Sequence, residues 1–115
     1  MKIMIIDDSD TMRKIVKMNL KGIGTEITEA VNGQDALDKL NDQPIDLFLV
    51  DFNMPIMNGL EFGLNLRKLD LYKTTPLIYL TTESDQGLDA EKEKIGVTGW
   101  LSKPFKKEEL MKLIQ

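Results

Sequence analysis

The chain contains no cysteine and no histidine among its 115 residues. Without cysteine there can be no disulfides and no thiolate chemistry, a composition typical of a cytoplasmic protein. Without histidine the chain lacks imidazole catalysis and the commonest ligand of transition metals. Any metal site must therefore be built from oxygen ligands, which favours a hard cation.

Long apolar runs and excess positive charge are also missing. No run approaches the ~20 apolar residues that span a bilayer, and the segment after Met1 is too short for a signal peptide. The net charge of −4 argues against a nucleic-acid surface, which needs clustered positive charge. We therefore expect one domain, residues 1–115, with no membrane segment and no nucleic-acid partner.

Apolar strand patterns alternate with helical patterns along the whole chain. The predicted strands are Ile3–Ile6, Glu26–Ala30, Ile45–Val50, Leu77–Leu80 and Gly99–Ser102. Ser9 or Asp10 is predicted to begin the first helix and Asn32 the second. Asn58 and Gly59 open the third, a fourth covers roughly residues 85–95, and the last contains Leu110. The predicted apolar stripes are Met12, Ile15, Val16, Leu20 and Ile23 in the first helix, Ala36, Leu37 and Leu40 in the second, Phe62, Leu66 and Leu69 in the third, and Leu110, Leu113 and Ile114 in the last.

This alternation predicts an α/β fold with a doubly wound, five-stranded parallel sheet, because parallel neighbours need helical crossovers. The first, third and fourth strands are the most apolar and belong in the centre. The second and fifth are short and belong at the edges. The predicted strand order is therefore 2-1-3-4-5.

Polar side chains follow the strands at the edge where such sheets bind ligands. Asp7 and Asp8 follow the first strand, Asp51 the third, Thr81 and Thr82 the fourth, and Lys103 the fifth. Three carboxylates at one edge repel one another unless a cation compensates, and Mg²⁺ suits an all-oxygen site. Singly, each residue has an ordinary explanation, such as a helix cap, a turn or a surface lysine. Their joint placement predicts a binding site.

These motifs form an ordered set: Asp7-Asp8, Asp51 followed by Met54-Pro55 and Asn58-Gly59, Thr81, and Lys103-Pro104-Phe105. Over the whole chain the set resembles the bacterial response-regulator receiver family. The stretch from Asp8 to Val16, with Asn53 and Glu83, is most similar to the stand-alone chemotaxis regulators of the CheY type. The resemblance implies a flavodoxin-like, CheY-like three-layer sandwich.

The resemblance also implies roles for individual residues. Asp51 would accept a phosphoryl group from a sensor histidine kinase, and Lys103, Thr81 and Thr82 would contact its oxygens. Mg²⁺ would be held by Asp8, Asp51 and the backbone carbonyl of Asn53, with Asp7 acting through water. Asn53 and Glu83 would tune the rate of dephosphorylation.

A switch is implied as well, in which Thr81 moves toward the phosphoryl group and the aromatic residue Trp100 follows. The family usually has tyrosine or phenylalanine at that position, and an indole is larger and needs a partner for its N–H when buried. A partial switch is therefore expected. The resemblance also implies a cis Lys103–Pro104 bond, and an output surface made by the fourth helix, fifth strand and fifth helix.

The expected protein is a cytoplasmic monomer, a phosphoacceptor and not an enzyme acting on a separate substrate, with the flagellar motor switch as its downstream partner. The alternatives are a phosphorelay receiver, a receiver cut from a larger regulator, and a binding module that works without phosphorylation. A phosphatase of the haloacid dehalogenase type would need its nucleophile on the first strand, where Asp8-Ser9-Asp10-Thr11 is one residue out of register. A flavin-binding relative would place its phosphate against Asp7 and Asp8, which repel anions.

Overall fold

A computed structural model describes residues 1–81, 95–103 and 105–114. Its strands are β1 (Lys2–Ile6), β2 (Glu26–Ala30), β3 (Leu47–Asp51), β4 (Leu77–Thr81) and β5 (Gly99–Ser102). They form one parallel sheet in the order β2-β1-β3-β4-β5. The predicted fold class and strand order are confirmed.

The described helices are α1 (Asp10–Leu20), α2 (Gly33–Leu40), α3 (Gly59–Arg67) and a C-terminal helix (Lys107–Ile114), with a 3₁₀ turn at Asp70–Tyr72. Thr82, Glu83, the predicted fourth helix up to residue 94, and Pro104 lie outside the described residues. The longest of the described helices has 11 residues, well short of the ~20 that a bilayer requires.

Alternate strand residues feed two apolar cores, one on each face of the sheet. Met4, Phe48 and Tyr79 point toward α2 and α3. Ile5 and Leu49 point to the other face, where α1 and the C-terminal helix pack. Every residue of β3 and β4 is buried, whereas β2 at the edge is mostly half-exposed. This is the burial expected of a sheet covered on both faces.

The helix starts are fixed by side-chain caps, as predicted. The Ser9 hydroxyl accepts a hydrogen bond from the Met12 amide, and the Asn32 side chain accepts one from the Asp35 amide. Asn58 begins α3 with a reciprocal capping box, in which the Asn58 side chain accepts a bond from the Glu61 amide and the Glu61 carboxylate accepts one from the Asn58 amide. Such caps satisfy amides that have no partner within the helix.

Part of the predicted apolar striping is wrong. Ile23 and Leu69 were placed on helical stripes, but α1 ends at Leu20 and α3 at Arg67. Both side chains are more than 40% exposed, and so is Ile15 on α1 itself. The third strand begins at Leu47, two residues later than predicted, although Asp46 still bonds to the backbone of Lys2 at 2.7 and 2.8 Å.

Gly63 lies within α3, where glycine usually costs about 1 kcal/mol relative to alanine. The packing explains its presence. A β-carbon at this position would collide with the hydroxyl of Tyr79 and press on Ile95 at 3.1 Å. The space left open allows the Tyr79 hydroxyl to donate a 2.6 Å hydrogen bond to the carbonyl oxygen of Gly59. Gly63 therefore leaves the room that the Tyr79 hydroxyl occupies against α3.

Candidate functional site

Three carboxylates meet at the carboxyl edge of the sheet. Asp7 and Asp8 follow β1 directly, and Asp51 is the last residue of β3, the neighbouring strand. One carboxylate oxygen from each lies within 4.8 Å of the others. Asp7 is fully buried, Asp51 is 6% exposed, and Asp8 is open to solvent. The cluster is therefore accessible from one side only.

Lys103 supplies the positive charge of the site. Its Nζ lies 3.1 Å from Oδ2 of Asp7 and 3.3 Å from Oδ1 of Asp51, and its side chain is only 12% exposed. The Lys103 amide donates to the carbonyl oxygen of Thr81 at 2.8 Å, which continues the pairing of β4 with β5. The sheet thus brings this lysine to Asp7, which lies 96 positions earlier in the chain.

The Asp51 carboxyl is electrostatically unusual. Burial, followed by the neighbouring charge of Asp7, raises its pKa from 3.8 to about 6, against the opposing effects of Lys103 and the Asn53 amide. That amide donates to Oδ1 of Asp51 at 3.2 Å. Lys103 and the Asn53 amide therefore do not fully offset the effects of burial and of the Asp7 charge on the pKa of Asp51.

The donor set fits Mg²⁺. One carboxylate oxygen from each of the three aspartates lies within 4.8 Å of the others, close enough for a single small cation to be held among them directly or through its water ligands. A divalent cation would also favour the charged form of Asp51, against the burial and the Asp7 charge that raise its pKa. The open side at Asp8 leaves room for the water ligands that Mg²⁺ retains.

The remaining predicted site residues lie around this cluster. Thr81 ends β4 beside Asp51 and is 4% exposed. Asn53 is exposed, two residues after Asp51, and reaches the cluster through its amide. Thr82 and Glu83 lie outside the described residues, so their predicted roles stay predictions.

Trp100 is half-buried on β5 and packs in an aromatic cluster. Its ring centre lies 4.8 Å from that of Tyr79 and 5.1 Å from that of Phe52. Phe52 directly follows Asp51 in the chain, so one member of the aromatic cluster is the sequence neighbour of the central carboxylate. Phe52 and Tyr79 could not be identified as members of this cluster from the sequence, because their contacts join strands that are far apart along the chain.

The whole chain is similar to known proteins. Residues 3–115 match the family model described as the response regulator receiver domain. The protein PilG of Pseudomonas aeruginosa is 34% identical over 115 residues, covering all of this chain and 85% of its own length.

Solved structures of chemotaxis and receiver-domain proteins are also similar to this chain. The chemotaxis protein CheY4 of Vibrio cholerae superposes with a TM-score of 0.91 at 39% identity, over 99% of this chain and 95% of its own. The receiver domain of the sensor histidine kinase PA1611 from Pseudomonas aeruginosa has a TM-score of 0.87 at 25% identity, over 99% and 93% of the two chains. That structure has a magnesium ion coordinated in its active-site cleft.

Proposed function

We propose that this chain, which belongs to the response regulator receiver family, accepts a phosphoryl group on Asp51 and transmits its arrival to a partner surface. One observation carries the proposal. Asp51 is a buried carboxylate with a raised pKa, held between Lys103 and the carboxylates of Asp7 and Asp8. A site that gathers this much charge is suited to phosphoryl transfer, in which catalysis consists of positioning and charge neutralisation.

The transfer forms one bond and breaks one. A carboxylate oxygen of Asp51 attacks the phosphorus of a phosphohistidine, and the bond from phosphorus to the imidazole nitrogen breaks, leaving an acyl phosphate on Asp51. Lys103 lies within 3.3 Å of Asp51 and would bond the phosphoryl oxygens, offsetting their charge. Attack by water later returns Asp51 to the free carboxylate and releases inorganic phosphate.

A bound Mg²⁺ supplies charge neutralisation for the phosphoryl oxygens. The residues that would hold it are Asp8 and Asp51 directly, the backbone carbonyl of Asn53, and Asp7 through water. Asp7 is already bonded by Lys103 at Oδ2 and by the Ser9 amide at Oδ1, so it is suited to an indirect role.

Further residues complete the proposed site. Thr81 would bond a phosphoryl oxygen through its hydroxyl, and Thr82 through its amide. Asn53 and Glu83 would tune how quickly water removes the phosphoryl group. Movement of Thr81 would alter the packing of Trp100, which stands on the adjacent strand and contacts Tyr79. The output surface would comprise the predicted fourth helix, β5 and the C-terminal helix.

The pathway we propose is chemotaxis, because the chain is so similar to CheY4. Its phosphodonor would be a sensor histidine kinase and its downstream partner the flagellar motor switch. The chain would act as a monomeric, cytoplasmic single domain, residues 1–115. A receiver of a phosphorelay or of a larger regulator would share the site and differ only in partners.

Trp100 fluorescence should change when a small acyl phosphate such as acetyl phosphate is added with Mg²⁺. The physical reason is that the indole packs on Phe52, the residue after the acceptor, so modification of Asp51 alters its surroundings. The change should require donor, Mg²⁺ and Asp51 together, and be absent in Asp51→Asn. An emission indifferent to phosphorylation would contradict the role of Trp100 while leaving the acceptor role of Asp51 to the mass measurement described below.

A further inference from the structure

Arg13 on α1 uses one guanidinium to join three segments around the acidic cluster. Its Nη1 donates to the backbone carbonyl of Asp7 at 2.7 Å, and its Nη2 to Asp10 at 3.0 Å. Its Nε donates to Oε1 of Glu29 on β2 at 3.0 Å. The Arg13 side chain is only 11% exposed, and its bonds to Asp7 and Glu29 are partly buried, whereas its bond to Asp10 is exposed.

Glu29 holds this arginine in place. Its second oxygen, Oε2, accepts a bond from Lys17 at 2.9 Å, so the carboxylate is shared by two cations. These partners, Lys17 foremost, lower the pKa of Glu29, which is therefore charged at neutral pH. A planar guanidinium with fixed donors is better suited than an ammonium to holding three acceptors at set angles.

The bond from Arg13 restrains the backbone of Asp7. The amide of Asp7 donates to Ala30 at 3.1 Å, and its two carboxylate oxygens accept from Ser9 and Lys103. The bond from Arg13 to the Asp7 carbonyl engages the one remaining polar group of this residue. Because a peptide unit is planar, fixing that carbonyl also fixes the amide of Asp8 and hence where its side chain begins.

We propose that Arg13 is a positioning residue for cation binding, because it fixes the peptide that joins Asp7 to Asp8 and so orients the exposed carboxylate of Asp8. The inference rests on the proposed function, since it assumes that this cluster binds Mg²⁺. Partners one step removed from a metal ligand commonly change metal affinity by about 10- to 100-fold when they are lost.

The loss of the Arg13 charge and the loss of its positioning effect predict opposite changes in Mg²⁺ affinity. Removing a positive side chain near three carboxylates would, through electrostatics alone, strengthen the binding of a cation. Loss of positioning weakens it. Lys14 is the matched control, since it neighbours Arg13 on α1, also pairs with Asp10, at 3.3 Å, and is 69% exposed.

The test measures Mg²⁺ binding by isothermal titration calorimetry in the whole chain and three variants. Arg13→Met should bind Mg²⁺ about 10-fold more weakly, whereas Lys14→Met should bind it equally well or more tightly. Arg13→Lys keeps the charge without the fork, and should also bind more weakly. Urea unfolding of each variant at a saturating Mg²⁺ concentration confirms that the chain titrated is folded.

Two results overturn the inference. One is unchanged or tighter binding in both Arg13→Met and Arg13→Lys, and the other is equal weakening in Lys14→Met. If Arg13→Met does not fold, the comparison of Arg13→Lys with the natural chain decides the question. Failure of the natural chain to bind Mg²⁺ at all would contradict the proposed function, and this inference with it.

Discussion

Lys103→Met is expected to slow phosphoryl uptake from acetyl phosphate by about 100-fold or more at saturating Mg²⁺. Lys103 lies within 3.3 Å of both Asp7 and Asp51, and under the proposed function its ammonium would meet the incoming phosphoryl oxygens. Removing a donor aimed at charge that develops in a transition state commonly costs 10²- to 10³-fold in rate. The rate is measured as mass gained by the intact protein over time.

Two variants separate position from charge in that experiment. Lys107→Met removes an exposed positive charge four residues later, and should leave the rate within about twofold, as expected of a screened surface charge. Lys103→Arg keeps the charge but replaces a compact ammonium with a planar fork, so an intermediate rate is expected. Equal rates in Lys103→Met and the natural chain would refute the role of Lys103.

Asp51→Asn is expected to stabilise the metal-free protein by roughly 3 kcal/mol at pH 7.5. In the folded chain, burial and the charge of Asp7 raise the pKa of Asp51 from 3.8 to about 6. A group whose pKa is raised on folding contributes stability fully below the unfolded pKa, here about pH 4. That contribution is lost as the pH rises through 6, because the folded state must then hold an unfavourable charge.

The measurement is urea unfolding of both proteins with EDTA at pH 4.5 and pH 7.5. The stability of the natural chain relative to Asp51→Asn should be higher at pH 4.5 and should fall between the two values. Millimolar Mg²⁺ at pH 7.5 should reduce or reverse the difference in stability between the two proteins, because it binds the folded natural chain more tightly than folded Asp51→Asn. A natural chain more stable than Asp51→Asn at pH 7.5 without metal would contradict the electrostatic account of the site.

The sheet could be predicted from sequence because its signal is local. β2 and β5 have the predicted bounds, and the order follows from burial, since only β1, β3 and β4 have apolar cores covered on both faces. The edge that collects Asp7, Asp51 and Lys103 follows from that topology, because parallel strands bring their carboxyl ends to one side.

Other features depend on contacts that no single segment encodes. Ile23 follows the helical spacing of α1, yet the helix ends three residues earlier, where Gly22 and Gly24 take positive φ angles of 93° and 71°. The sequence alone does not distinguish Arg13 from an ordinary surface arginine, because its bond to Glu29 forms only when α1 packs beside β2. The contact of Phe52 with Trp100 likewise exists only once β3 and β5 are placed on either side of β4.

The stability cost at Asp51 and the function proposed for it have the same origin. The charged form of a buried carboxylate beside Asp7 is unfavourable without a cation. The same burial and charge favour the binding of a cation at the three carboxylates. Gly63 in α3 is a related case, because glycine lowers helix propensity there. The space that it leaves is occupied by Tyr79, whose ring contacts Trp100.

The central claim, that Asp51 is the phosphoacceptor, is tested most directly by intact-mass spectrometry after incubation with acetyl phosphate. The natural chain and Asp38→Asn, which alters an exposed aspartate on α2, should each gain one phosphoryl group with Mg²⁺ and far less with EDTA. Asp51→Asn should gain none. Uptake by Asp51→Asn at the natural rate, or none by the natural chain in any condition, would contradict the claim.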